Sequence, residues 1–179
     1  MSTPPSVWLT TLGCSKNQVD SDKISAVLGE SGYRTAETPE SADVVMVNTC
    51  GFIDAARRES IETILDLSQA KRDDAKLVVM GCMAQRYEQE LIDALPEADA
   101  VVGLDRYPEL VGELDRMTHW EPIEIGGVQR SNMDILNVVE RPTPSTPYAY
   151  VKIAEGCNKT CAFCAIPQFR GKQRSRNAA

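Results

Sequence analysis

Val44-Val-Met-Val-Asn-Thr49, followed at once by Cys50 and then by a helix-like stretch, decides the fold. A short run this rich in valine reads as a strand buried on both faces, as in a parallel sheet. The same arrangement recurs on either side. Val7-Trp-Leu-Thr-Thr-Leu-Gly13 leads to Cys14, and Leu77-Val-Val-Met-Gly81 leads to Cys82. Helical spacing fills the gaps. Asp20-Ser21 is placed as the cap of a helix carrying Ile24, Val27 and Leu28 on one face, with Gly32 past its end. A second helix is expected over 54–70, with Ile61, Ile64 and Leu65 inward. A third is expected over 84–95, with Ala84, Tyr87, Leu91 and Leu95 at helical spacing and Pro96 as its stop. A short strand at 100–103 and a helix near 107–117 extend the series, and Gly126-Gly127 reads as a turn in the otherwise unassigned stretch 123–137. Strands alternating with helices predict an α/β domain with a mostly parallel sheet over residues 1–140.

Arg141-Pro-Thr-Pro-Ser-Thr-Pro147 carries three prolines in seven residues and reads as an extended linker. Tyr148-Ala-Tyr-Val-Lys-Ile153 then reads as a new strand running into a cysteine-rich loop. Residues 148–179 are too few for a domain with its own core, so the chain reads as cut off within a second domain.

Apolar residues make up 42% of the chain, enough for a packed core, and 25% charged residues exclude neither folding nor solubility. No apolar run approaches a membrane span, and the first residues have neither the basic nor the apolar part of a secretory signal, so a cytoplasmic protein without membrane association is expected. In that compartment cysteines are more often metal-binding or catalytic than paired in disulfides. The net charge of −7 is unevenly spread. Residues 148–179 hold six Lys and Arg against the single acid Glu155, whereas residues 1–147 hold 13 bases and 25 acids. The acidic body argues against broad electrostatic binding of nucleic acid. The basic tail suits an anionic cofactor or a solvated face. Nucleotide-hydrolysis and dinucleotide-binding motifs are absent.

The six cysteines fall into two groups of three. Cys157-Asn-Lys-Thr-Cys161-Ala-Phe-Cys164 has the spacing C-x3-C-x2-C, which brings three sulfurs to one side of a tight loop. A tetrahedral structural zinc wants four protein ligands, and iron–sulfur cubanes are commonly held by four thiolates. Three leave one metal corner open. Zinc would need a further donor, and the only histidine, His119, lies far from both groups. Cys14, Cys50 and Cys82 are widely spaced, but each follows a predicted strand. If those strands are parallel neighbours, the three thiols share the sheet edge where open α/β sheets place ligands, between strand ends and helix N-termini that favour thiolates. Taken singly, each reads better as a small buried apolar residue; three in the same position after a strand read better as one site.

C-x3-C-x2-C with an aromatic residue before its last cysteine resembles the cluster motif of the radical S-adenosylmethionine enzymes. Thr11-Leu-Gly-Cys-Ser-Lys-Asn-Gln-Val-Asp-Ser21, Val47-Asn-Thr-Cys-Gly-Phe-Ile-Asp54 and Val79-Met-Gly-Cys82 resemble the N-terminal domain of the methylthiotransferases within that superfamily. The resemblance implies two 4Fe–4S clusters: one on Cys157, Cys161 and Cys164, whose open iron binds S-adenosylmethionine, and an auxiliary one on Cys14, Cys50 and Cys82. It places Phe163 near the adenine of S-adenosylmethionine, although Phe163 suits a core role as well. It implies that residues 148–179 begin a radical S-adenosylmethionine α/β barrel, incomplete here.

The details of Cys-Gly-Phe-Ile-Asp and Leu-Gly-Cys-Ser-Lys-Asn look like the branch that adds a methylthio group to the β-carbon of an aspartate in small-subunit ribosomal protein twelve. The other main branch acts on adenosine in transfer RNA. Sulfur insertion at such a carbon needs a hydrogen atom removed first, which no acid or base in proteins can do, so the cofactor carries that chemistry. The resemblance further implies an electron donor such as flavodoxin or ferredoxin, and leaves the sulfur donor unknown. Without the rest of the barrel, this chain alone is expected to turn over little or not at all. A non-catalytic iron–sulfur electron carrier is the alternative from another class, though such carriers usually saturate every iron with protein ligands.

Overall fold

Valine at alternate and adjacent positions favours an extended, fully covered strand, and β3 (Val44–Thr49) is buried at all six residues. The computed structural model describes residues 3–120, 141–143 and 147–176. In it β3 is the centre of a five-stranded, wholly parallel sheet ordered β2-β1-β3-β4-β5. The other strands are β1 (Ser6–Thr11), β2 (Arg34–Thr35), β4 (Lys76–Gly81) and β5 (Ala100–Val102). Side chains alternate strictly between two cores. Val44, Met46, Val78 and Met80 pack with Ile24 and Leu28 of α1 (Ser15–Glu30) and with Leu110 and Leu114 of α4 (Leu110–Thr118). Val45, Val47, Leu77 and Val79 pack with Ile64 and Leu67 of α2 (Asp54–Ala70) and with Met83 and Leu91 of α3 (Cys82–Ala94).

The strand order positions the site. From β1 the chain moves outward to β2, then crosses back to β3 and continues through β4 to β5. The connections leaving β1 and β3 therefore cover opposite faces, which makes their carboxyl ends the switch point where such sheets usually place ligands.

Several elements differ from the sequence reading. α1 begins at Ser15 with Cys14 as its N-cap, not at Asp20-Ser21, which lie on its buried face. Its inward stripe runs Asn17, Asp20, Ser21, Ile24 and Leu28, polar at the carboxyl edge of the sheet and apolar beyond it. In α2 the inward positions are Ser60, Ile64 and Leu67, while Ile61 is 39% exposed. Ser60 takes the inward place because its hydroxyl accepts from the Cys50 N–H (3.1 Å) and donates to the Ala56 carbonyl (2.8 Å). α3 starts at Cys82 itself and is kinked at Tyr87. The expected helix near 107–117 is a 3-10 segment, Leu104–Glu109, continued by α4. The stretch 123–137 with Gly126-Gly127 lies outside the described residues, as do 144–146 of the proline-rich segment.

Tyr148–Ile153 forms no strand. It makes one backbone bond of that kind, from the Arg176 N–H to the Ile153 carbonyl (2.8 Å), and no ladder forms along it among the described residues. Pairing is confined to β6 (Ala154–Glu155) against β7 (Arg174–Ser175), antiparallel, with α5 (Ile166–Arg170) between them. Among the described residues no helix is long and apolar enough to cross a membrane.

Candidate metal centre

Cys14, Cys50 and Cys82 stand at the carboxyl ends of the neighbouring strands β1, β3 and β4. Cys14 caps α1, Cys82 opens α3, and Cys50 starts the loop that reaches α2 at Asp54. Only the first two therefore adjoin a helix N-terminus. Cys14 is exposed, Cys50 and Cys82 are buried, and all six cysteines of the chain are free thiols.

Glycines bring the strand ends together. Gly13 has φ of +88°, and a Cβ there would stand 2.7 Å from Cys50 Sγ. Gly81 has φ of +100°, and a Cβ there would meet the backbone nitrogen and carbonyl oxygen of Thr49 at 2.8 and 2.7 Å. Only a residue without a side chain permits either approach. The loop after Cys50 is held by Arg86, whose guanidinium donates to the Gly51 carbonyl (3.2 Å).

Two asparagines floor the edge. Asn17 donates to the carbonyls of Leu12 (2.9 Å) and Thr49 (3.0 Å), tying the ends of β1 and β3. Asn48 donates to the Asn17 carbonyl (3.1 Å) and to Ser21 Oγ (2.9 Å), and its own Oδ1 is buried without a partner.

Cys82 is the electrostatic focus. Arg170 of α5 donates to its sulfur from Nε (3.2 Å) and Nη2 (3.1 Å). The same guanidinium reaches Asn17 Oδ1 (2.6 Å), Asp20 (2.9 Å) and Glu155 (2.9 Å). Lys152 completes the network, donating to Asp20 and to Glu155 (2.6 Å). Asp20, Lys152 and Arg170 have side chains only 1–3% exposed. Burial, aided by Cys14 and Cys50, pushes the Cys82 thiol up to about 11 against the pull of Arg170. Burial also opposes ionisation of Glu155, but Arg170 and Lys152 outweigh it and hold that carboxyl at about 2. Arg170, despite burial, is held well above its ordinary value by Cys82, Asp20 and Glu155.

The second triad lies in the loop between β6 and α5. The Cys157 N–H donates to the Gly171 carbonyl (3.1 Å), and the Cys164 N–H donates to the Cys161 carbonyl (3.1 Å), closing a turn. The Lys159 N–H points at Cys157 Sγ (3.4 Å). Phe163 is 89% exposed. His119 is an exposed left-handed residue ending α4. Among the described residues, no three Cys, His, Asp or Glu side chains already hold the spacing of a bound ion. The donor chemistry nonetheless fits a soft metal: each triad supplies thiols only, and thiolates select iron–sulfur clusters over hard cations.

Sequence reasoning found the cysteines but gave Asn17, Asp20, Glu155 and Arg170 no place in the site. Asp20 and Arg170 are 150 residues apart. The available signal was the concentration of charge in the basic tail.

Residues 6–103 match the family described as uncharacterized protein family UPF0004. Nearly the whole chain also aligns with curated proteins. A ribosomal protein uS12 methylthiotransferase RimO of Microcystis aeruginosa is 40% identical over 177 residues, covering 99% of this chain and 40% of that protein. The protein of the same name from Campylobacter fetus is 44% identical over 176 residues, covering 97% of this chain and 38% of its own length. That from Synechocystis is 40% identical over 176 residues, covering 98% and 39%. The chain spans about two-fifths of the length of the curated relatives it matches. It belongs to the UPF0004 family, and the likeness to methylthiotransferases legible in its six cysteines extends over nearly all of its length.

Proposed function

We propose that this chain is the cluster-bearing amino-terminal part of a cytoplasmic radical S-adenosylmethionine methylthiotransferase that modifies an aspartate β-carbon of small-subunit ribosomal protein uS12. Cys14, Cys50 and Cys82 are the ligands of an auxiliary 4Fe–4S cluster. Cys157, Cys161 and Cys164, at the start of a barrel, are those of the cluster that binds S-adenosylmethionine, with Phe163 beside the adenine. When bound, these groups supply an electron to cleave the sulfonium and a site that presents sulfur. The observation that carries the reading is the placement of three cysteines at the ends of three adjacent parallel strands. The relatives, all uS12 methylthiotransferases, favour a ribosomal protein over transfer RNA as substrate.

The chain's own residues hold and shield. The β1, β3 and β4 ends anchor the backbone of Cys14, Cys50 and Cys82 along one edge of the sheet, so the ligands start as neighbours and the side chains close in on loading. Cys82 is a thiol at neutral pH by its raised pKa, and loading must displace its proton. The basic residues Lys159, Lys172, Arg174 and Arg176 around the second triad suit the carboxylate of the sulfonium cofactor and an acidic one-electron donor such as flavodoxin or ferredoxin.

The test is anaerobic reconstitution of the full-length protein with iron, sulfide and S-adenosylmethionine. Formation of 5′-deoxyadenosine, and a methylthio mass on uS12 that is missing in cells lacking the gene, support the proposal. Loss of the mass from transfer RNA instead transfers the activity to the adenosine branch. A colourless protein with stoichiometric zinc removes the proposal.

A further inference from the structure

We infer that Arg170 is a positioning residue of the first cysteine triad, and that it couples that triad to the segment carrying the second. This rests on the reading of Cys14, Cys50 and Cys82 as ligands of one iron–sulfur centre. Arg170 is remote from Cys82 in sequence, and it lies six residues after Cys164. Yet two of its donors, Nε and Nη2, converge on the one sulfur of Cys82 at 3.2 and 3.1 Å. The opposite side of the guanidinium is pinned by Asp20 and Glu155, both at 2.9 Å from Nη1. Its orientation is thus set independently of Cys82. Asn17, which joins the ends of β1 and β3, takes a further bond from Nη2 at 2.6 Å.

An arginine used only to balance Asp20 and Glu155 would not need its other edge aimed at a ligand sulfur. A planar fork can serve both sides at once, whereas a lysine ammonium is a single point charge. Hydrogen bonds to cluster sulfurs, and nearby positive charge, are among the protein's means of setting a cluster's reduction potential. Positive charge favours the reduced, more negative form. Arg170 therefore raises the potential of the centre on Cys14, Cys50 and Cys82. Among the described residues its hydrogen bonds to sulfur go to Cys82 and not to the second triad, so that centre should feel it less.

The experiment uses the full chain, reconstituted with ferrous iron and sulfide, in two backgrounds. Cys157, Cys161 and Cys164 are replaced by Ala in one, and Cys14, Cys50 and Cys82 in the other, so that each centre is titrated alone by electron paramagnetic resonance. In the first background Arg170→Gln is expected to shift the reduction equilibrium about tenfold toward the oxidised form, 59 mV for one electron. Arg170→Lys is expected to recover part of that shift, since it restores the charge without the fork. In the second background the shift is less than threefold. An unchanged potential on the first triad, or an equal shift on both, overturns the inference while leaving the ligand assignment intact. If the chain with native Arg170 loads nothing on the first triad, the ligand assignment fails and the inference with it. Should Arg170→Gln not fold, Arg170→Lys carries the test alone: a lower potential supports the role and an unchanged one overturns it.

Discussion

Replacing Asp20 with Ala is expected to cost the fold more than any other single charge deletion. Asp20 is 1% exposed and accepts from two buried cations, Lys152 and Arg170. With it gone, both depend on Glu155, whose side chain is 13% exposed and already engaged by each. Breaking a buried ion network by removing one partner costs about 3–5 kcal/mol, mostly because the remaining charge is left buried and underpaired. Glu155 retains a bond to each cation, which argues for the lower end, about 3 kcal/mol. With a urea slope of about 2 kcal/mol/M for a chain of this size, the midpoint falls by about 1.5 M. The assay is urea unfolding of the chain followed by circular dichroism and by Trp8 and Trp120 fluorescence. Asp20→Asn keeps the volume and one acceptor, so it should lose less than Asp20→Ala. A midpoint within 0.3 M of the parent (about 0.6 kcal/mol at that slope) for Asp20→Ala would refute the reasoning, because it would mean that the network only balances its own desolvation.

Further outcomes follow from the same geometry. Gly81→Ala places a side chain at φ of +100° against the backbone of Thr49, which cannot move away without breaking the β3–β4 ladder. Backbone strain of this kind costs about 1–3 kcal/mol, so urea midpoints should fall, and iron loading of the first triad should fall with them. Glu155 has a depressed pKa, about 2 when folded against 4.5 as the ordinary value. Its contribution is therefore complete above pH 4.5 and is lost as pH falls toward 2, which the difference between parent and Glu155→Gln midpoints from pH 6 to pH 3 should reveal. In the metal-free chain, exposed Cys14 should react with iodoacetamide at pH 8 well before Cys82, whose buried thiol is held at about 11. Peptide mapping by mass spectrometry checks the order.

The sheet was legible because burial on both faces leaves a plain mark: β3 has no polar residue before Asn48. The start of α1 was not. Cys14 caps that helix without a side-chain hydrogen bond, whereas Asp20-Ser21 has the chemistry of a cap and lies instead inside the helix. Those two polar residues face inward because their partners come from far along the chain: Ser21 takes the Asn48 amide, and Asp20 takes Lys152 and Arg170. Local pattern carries no record of such partners. Ile61 yields its inward place to Ser60 for the same reason, the Cys50 backbone being the partner that rewards a hydroxyl there. Tyr148–Ile153 has the aromatic and branched residues of a strand, but a strand also requires a ladder, and among the described residues pairing begins only at Ala154. The cysteines were found because spacing and position after a strand are sequence properties, while Arg170 was not, because its meaning lies in what it touches.

The central claim is that two separate thiol triads each carry an iron–sulfur cube, and iron and acid-labile sulfide per chain test it most directly. After anaerobic reconstitution the chain should hold about eight irons, and replacing Cys14, Cys50 and Cys82 by Ala should lower this to about four, with Cys157, Cys161 and Cys164 still loaded. Iron content that is unchanged by removal of the first triad would contradict the account.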